Sequence, residues 1–381
     1  MDRDSQKILP TSKKMRIAIL GTRGIPNNYG GFEQCADFLA RILVQQGHEV
    51  IVYCSHNHPY DKSEYEGVQL VKCHDPEDKI GTAGQFIYDL NCILDSRKQK
   101  VDILLQLGYT SSSIWNFLIK KNQILVTNMD GLEFKRSKYN SLTKLFLRFA
   151  ERLAVFHSDH LVADSKGISK YLLEKYKKDS TFIAYGAEIP SIDYSNSTIP
   201  LGLQTRSYDL VIARLEPENN IEMIIQGWML SDKKRSLIIV GNHKTKFGEF
   251  LKSKYNHSDL NFVGAIYDFE ALNILRHHSY LYFHGHSVGG TNPSLLEAMA
   301  SSTLICAHNN AFNNAVLEEN GFRFSNSTEV SHLINSIARE NNKAQIENNL
   351  GLIKNLYSWQ SISSKYEELF CSLFIDAEQQ S

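Results

Sequence analysis

Apolar runs recur along the chain at the spacing of alternating strands and helices. RIAILG (16–21) is a short apolar run ending in glycine, and after a loop an amphipathic stretch runs from about Phe32 to Gln46, where Gly47 stops it. EVIVYC, VQLVKC, VDILLQLG, ILVTNMDG, HLVADS and TFIAYG follow as further strands, with helical stretches between most of them. Near-continuous apolar strands separated by helices predict a parallel sheet covered on both faces. A second cycle starts at Asp209 with DLVIARL, a helix (NIEMIIQGWML), SLIIVG, LNFVG, SYLYFHG and LICAHN. The pattern therefore predicts an α/β chain of two Rossmann-like, doubly wound domains. The segment between Gly186 and Tyr208 is rich in Pro, Ser and Asn, as a linker should be. The expected layout is a polar tail over 1–14, an N-terminal domain over 15–187, a linker over 188–207, a C-terminal domain over 208–356 and a closing segment over 357–381. Ligands of such sheets bind at the carboxyl ends of the strands, which in a two-domain protein can face one another across a cleft.

The strand SYLYFHG runs into HGHSVGGTNPSLLEAMA, where Asn292 and Pro293 carry helix-start chemistry. Residues 289–292 should then offer free backbone N–H groups to an anion, and a diphosphate is the usual one in an α/β enzyme. Glu297, one turn in, either accepts hydrogen bonds from a ribose diol or is solvated. Arg214, at the end of DLVIARL, either clamps phosphate bidentately or pairs with Glu216 or Glu218. Asp130 and Glu133 follow the strand ILVTNM, at the functional edge; the alternative is that Asp130 caps a turn. After the first strand, GTRGIPNNYGGFE places Arg23 where a dinucleotide fingerprint needs its second glycine, which argues against a bound dinucleotide. Gly30 and Gly31 open the helix instead, so its backbone can approach a ligand. Glu33 sits in the first turn, where a carboxylate also favours the helix dipole.

Composition narrows the class. The chain has 381 residues, 42% apolar and 22% charged, with net charge −1, which fits a soluble globular enzyme and gives no sign of a nucleic-acid partner. A polar start, MDRDSQK, and apolar runs too short for a bilayer predict a cytoplasmic protein. Cys54, His56, His58, Cys73 and His74 lie at the ends of two neighbouring strands, but no CxxC pair accompanies them, so a metal site is not expected. Over 142–156, apolar residues at 142, 145, 146, 149, 153 and 156 define one helical face, and Lys144, Arg148 and Arg152 repeat on another, with Lys135, Arg136 and Lys138 upstream. The apolar face should pack on the sheet; the basic face is either solvated or docks on an anionic membrane surface.

Together the GGFE loop, ARLEPE and GGTNPSLLEAMA closely resemble the retaining nucleotide-sugar glycosyltransferases of family 4, which have the GT-B fold, and the resemblance covers residues 15–374. GTRGIPNNYGGFE, NMDGLEFKR and HGHSVGGTNPSLLEAMA are similar to a bacterial polysaccharide subgroup that includes rhamnosyltransferases of capsule and cell-surface glycan assembly. The resemblance implies that Glu297 holds the donor ribose and Arg214 the diphosphate. Gly289 stands where the family's sugar-contacting glutamate would be, Asn219 where its lysine would be, and Met129-Asp130 where its histidine-aspartate pair would be. It further implies a donor site including Gly289, Gly290, Thr291, Asn292, Ser294, Asn219, Gly30 and Gly31. Arg214 and Asp130 would be catalytic, and Tyr29, Glu33, Glu133 and His286 would lie on the acceptor side. No metal or cofactor is implied, only a nucleotide-diphosphate sugar and a glycan or lipid-linked acceptor, at the inner face of the plasma membrane. SWQSISSKYEELF resembles the family's closing helix, which returns to the first domain, with Trp359 near the crossing. Two other readings stay open. An NAD-dependent oxidoreductase or epimerase needs the missing GxGxxG, and its Tyr171 and Lys175 lie on a lysine-rich helix; a non-catalytic sugar-binding protein would explain Gly289.

Overall fold

A computed structural model of the chain describes residues 13–28, 30–135, 139–232 and 235–380. Two sheets form, as the apolar runs predict. The first contains β1 (Arg16–Leu20), β2 (Glu49–Ser55), β3 (Glu64–Tyr65), β4 (Val68–Cys73), β5 (Ile103–Leu107), β6 (Ile124–Asn128), β7 (His160–Ala163) and β8 (Thr181–Phe182). Their order is β3-β4-β2-β1-β5-β6-β7-β8, and β3 pairs antiparallel with β4. The second contains β9 (Tyr208–Ile212), β10 (Ser236–Val240), β11 (Leu260–Gly264), β12 (Tyr282–His284), β13 (Ile305–His308) and β14 (Phe322–Phe324), in the order β11-β10-β9-β12-β13-β14 and parallel throughout. The order reverses between β1 and β5 in one sheet and between β9 and β12 in the other. These switch points are where a parallel sheet opens a crevice at its carboxyl edge.

By contact, the chain divides into two compact units: Met1–Met129, Phe149–Val162 and Ser363–Ser381 form the first, and Asp130–Arg148 with Ala163–Ile362 the second. The first core joins Ala18, Leu20, Ile51, Tyr53, Ile93 and Leu104. The second is built on Val211, Ile224, Trp228, Leu237, Ile239 and Phe283. The closing helix Trp359–Gln380 belongs to the second unit through Ile362 and to the first from Ser363 onward; Trp359, at its start, is buried against Gly186. No helix among the described residues is long and apolar enough to cross a membrane.

Three features depart from the sequence reading. The hairpin strand β3 and the three-residue β14 are too short for alternation to register, and TFIAYG is strand only over its first two residues. The larger departure is the helix Ser141–His157. Its apolar face was expected to pack on the sheet, yet Leu142, Leu145, Phe149 and Phe156 are 80%, 65%, 53% and 62% exposed. Leu147, Ala150, Ala154 and Val155 are buried instead. Arg148 and Arg152 share the outward face, so apolar and basic groups are intermixed on it.

Candidate functional site

The second sheet's switch point is built by the loops after β9 and β12. Beyond β9, Arg214 is exposed and forms no ion pair among the described residues. Asn219, buried in a one-turn 3-10 helix, donates its side-chain amide to the Arg214 carbonyl at 2.7 Å, so it braces the loop where the family pattern would place a cation. Asn220 donates to the Gly285 carbonyl at 2.8 Å, and the Ser287 hydroxyl to the Glu218 carbonyl at 2.7 Å. Gly285 approaches so closely that a Cβ would lie 2.0 Å from the Asn219 oxygen, which only glycine permits. These contacts lock the two loops together.

The helix Pro293–Ala300 starts as expected: Asn292 is its N-cap, Pro293 its first residue, and Asn292 Oδ1 accepts the Ser294 N–H at 3.0 Å. The expectation of a free loop amide fails at Thr291. Its N–H donates to Asp164 Oδ2 at 3.1 Å, and its hydroxyl donates to the Asp164 carbonyl. A Cβ on Gly290 would fall on the Asp164 carboxylate, so glycine is required there too. Burial, and then the neighbouring Asp130 carboxylate, push the Asp164 carboxyl well above its ordinary range. Asp130 occupies the left-handed region at φ +43°, which Asp tolerates better than most residues. A Cβ on Gly131 would lie 3.4 Å from Gly289 Cα and 3.8 Å from Glu133 Oε1. Within the second unit, residues 130–133, Asp164 and 289–291 are therefore gathered in one place.

Glu297 is not merely solvated. Its Oε2 accepts from Arg276 Nη2 at 2.5 Å, and Arg276 is 1% exposed. Ser294 Oγ pairs with the Tyr282 hydroxyl at 2.8 Å. The His286 ring stacks on buried His284 at 4.4 Å, and the His286 carbonyl accepts from Asn310 and Asn313. Burial drives the His284 pKa well below its ordinary value, so that ring is neutral. Arg276 and Asp164 were missed in the sequence. The run RHH at a helix end reads as cations favouring the dipole, which masks a buried arginine, and HLVADS offered a strand-end aspartate as the only hint of the other.

In the first unit, Gly30 is the N-cap of the helix Gly31–Gln45. Glu33 is buried, and its Oε1 accepts the Arg23 N–H at 2.9 Å, so it ties down the loop after β1. Tyr29, Arg136 and Lys138 lie outside the described residues. Arg23 grips Glu77 through two nitrogens, Nη2 at 2.8 Å and Nε at 3.1 Å. Behind them Asp89 is buried; burial pushes its carboxyl up to about 7, Asp75 adds to the shift, and a Ser111 hydrogen bond and Arg23 oppose it. His56 accepts the Asp75 N–H and its ring lies 5.0 Å from that of His74, so these side chains organise a turn.

Residues 14–188 match the family model described as "Domain of unknown function (DUF1972)", and residues 202–351 match "Glycosyl transferases group 1". An uncharacterized glycosyltransferase of Methanocaldococcus jannaschii is 25% identical over 282 residues, covering 63% of this chain and 69% of that protein. Sucrose-phosphate synthase from Thermosynechococcus elongatus is similar in structure, with a TM-score of 0.76 at 16% identity, covering 95% of this chain and all (100%) of that one. Anabaena HepE, solved with UDP and glucose, gives 0.74 at 17% identity, covering 94% and 100%. At these identities the structural likeness establishes the fold. With a glycosyl transferases group 1 domain in its second half and this two-sheet architecture, the chain is a glycosyltransferase of the GT-B type.

Proposed function

We propose that the chain moves a hexose or deoxyhexose, with rhamnose favoured, from a nucleotide-diphosphate sugar to a lipid-linked glycan in capsule or cell-surface polysaccharide synthesis, with retention of anomeric configuration. The observation that carries the donor half is the placing of an exposed Arg214 beside an Asn292-capped helix start at adjacent strand ends, with Glu297 one turn further in. That Anabaena HepE, which shares this fold, is solved with UDP and glucose supports a nucleotide sugar as the donor. Arg214 would face the diphosphate as a bidentate donor, and the helix start would add its dipole, so that charge developing on the leaving group meets donors already in position. In the retaining reaction the departing phosphate takes the proton of the attacking hydroxyl, and no protein nucleophile is required. Asp130 then acts near the reacting centre without forming a covalent bond. The rhamnose and polysaccharide assignments rest on the three motifs alone. A membrane-bound acceptor is supported by the outward face of the helix Ser141–His157, whose exposed Leu and Phe side chains stand beside Arg148 and Arg152.

Binding of UDP, GDP and dTDP, measured by thermal shift and calorimetry, tests the donor half. Glu297→Gln should weaken the best nucleotide by about 1–3 kcal/mol, the cost of mismatching a buried hydrogen-bonded group. Gln is preferred to Ala because Ala would strand the buried Arg276 charge. Unchanged affinity in the folded variant would remove Glu297 from the donor site. Transfer activity should persist in excess EDTA, since the charge is met by Arg214 and backbone amides; a rate lost to chelator and restored by manganese or magnesium would contradict this reading.

A further inference from the structure

We infer that Arg276 is a positioning residue for nucleotide recognition: it fixes the Glu297 carboxylate in the orientation that selects the sugar hydroxyls of the donor nucleotide. The inference rests on the reading of Glu297 given above and adds to it a residue that lies outside every donor motif.

Arg276 lies near the end of the helix Phe269–His278, yet its side chain turns inward and is almost fully buried. A buried guanidinium is costly unless it is paired and its N–H groups are taken up. Here Nη2 donates to Glu297 Oε2 at 2.5 Å, and Nη1 donates to Asn273 Oδ1 at 3.2 Å. Asn273 is itself held: its amide donates to the Phe269 carbonyl at 2.8 Å, and its Oδ1 also accepts the Ser301 hydroxyl at 2.8 Å. The arginine is thus held at its two terminal nitrogens, Nη1 and Nη2, while its buried Nε has no partner among the described residues. The Glu297 side chain is 22% exposed, against 2% for its partner, so the pair has a buried cationic end and an accessible anionic end. One carboxylate oxygen is bound to the arginine, which leaves the other to accept from a ligand. A flexible glutamate would lose rotamer entropy on binding; this one has already lost it. A carboxylate oxygen held in place can only accept hydrogen bonds, which is the property that discriminates a hydroxyl-bearing sugar from one lacking it.

The test compares the nucleoside diphosphate that binds most tightly among UDP, GDP and dTDP with its 2′,3′-dideoxy analogue. The affinity ratio of the two reports recognition of the sugar hydroxyls. Glu297→Gln should cut that ratio about tenfold, the scale of one charge-assisted hydrogen bond. Arg276→Met should cut it by a similar factor, Arg276→Lys by about threefold because the point charge lacks the fork, and the Arg276→Met/Glu297→Gln double variant should lose no more than either single one. Affinity for the dideoxy nucleotide should change little in all of them. If Arg276→Met does not fold, Arg276→Lys and Asn273→Ala decide by the same criterion, the latter loosening the arginine from behind. A purely structural Arg276 would lower the melting temperature and weaken both nucleotides equally, and that result overturns the inference. A ratio that falls in Glu297→Gln but not in the Arg276 variants also overturns it and leaves the Glu297 reading intact. A ratio unmoved by Glu297→Gln, or the absence of any nucleotide binding, takes down both.

Discussion

Vesicles containing anionic lipid should carry this protein down on sedimentation at low ionic strength, and replacing Lys144, Arg148 and Arg152 with Gln should lower the partition coefficient by about two orders of magnitude. Each basic residue near an anionic surface contributes about 1 kcal/mol, and the effect should shrink as salt screens it. The exposed stripe sharpens the expectation. Arg152 lies over the ring of Phe156 at 5.4 Å and Arg148 over the ring of Phe134 at 4.9 Å, so the guanidinium groups sit on apolar surface. Leu145→Ser and Phe149→Ser should therefore also reduce vesicle binding, by roughly 1.5–3 kcal/mol for each side chain that would otherwise leave water completely. Because both positions face outward, these changes should leave the melting temperature nearly unchanged. A core-packed face would give the opposite pattern, unfolding without a specific loss of binding. Wild-type protein that ignores anionic vesicles at low salt would sink the membrane assignment.

The second large effect is a pH dependence of stability centred on Asp89. Its folded-state pKa of about 7 stands above an unfolded value of about 3.9. An acid whose pKa is raised by folding binds more protons when folded, so the stability it contributes is complete below about pH 4 and is lost as the pH rises to about 7. At about 1.4 kcal/mol per unit, the loss is about 4 kcal/mol once the carboxyl is fully ionised. Asp89→Asn abolishes that ionisation. Its unfolding free energy relative to wild type should rise steadily between about pH 4 and pH 7 and level off above. The measurement is chemical denaturation of both proteins at several pH values. A difference that does not vary with pH would show that folding leaves the Asp89 pKa unshifted.

Much of the architecture was legible because a doubly wound sheet writes itself as apolar runs of fixed length: β1 and β10 fall inside the runs that predict them, and β2 and β9 overrun theirs by one residue each. Arg214, Asn292 and Pro293 were legible for a similar reason, since strand ends and helix starts have local chemistry. What escaped was pairing at long range. Arg276 and Glu297 are 21 residues apart, and Asp164 and Thr291 are 127 apart; nothing local marks either pair. The helix Ser141–His157 failed for a different reason. Periodicity says which side chains share a face, but not which face turns inward, and here Ala150 and Ala154 are buried while Leu145 and Phe149 are exposed. Asn219 illustrates a third limit: aligned with a family lysine, it reads as a lost charge, whereas in the fold it is a brace for the Arg214 carbonyl.

The hydrogen bond from Thr291 to Asp164 has a kinetic consequence. A backbone amide has a single hydrogen to give, and here a carboxylate of the same chain already holds it. An incoming anion that uses this amide arrives by exchange, displacing an internal competitor. The equilibrium affinity is then the gross attraction less the work of parting Thr291 from Asp164. At saturating ligand, the observed rate of association reaches a plateau set by how often that bond opens.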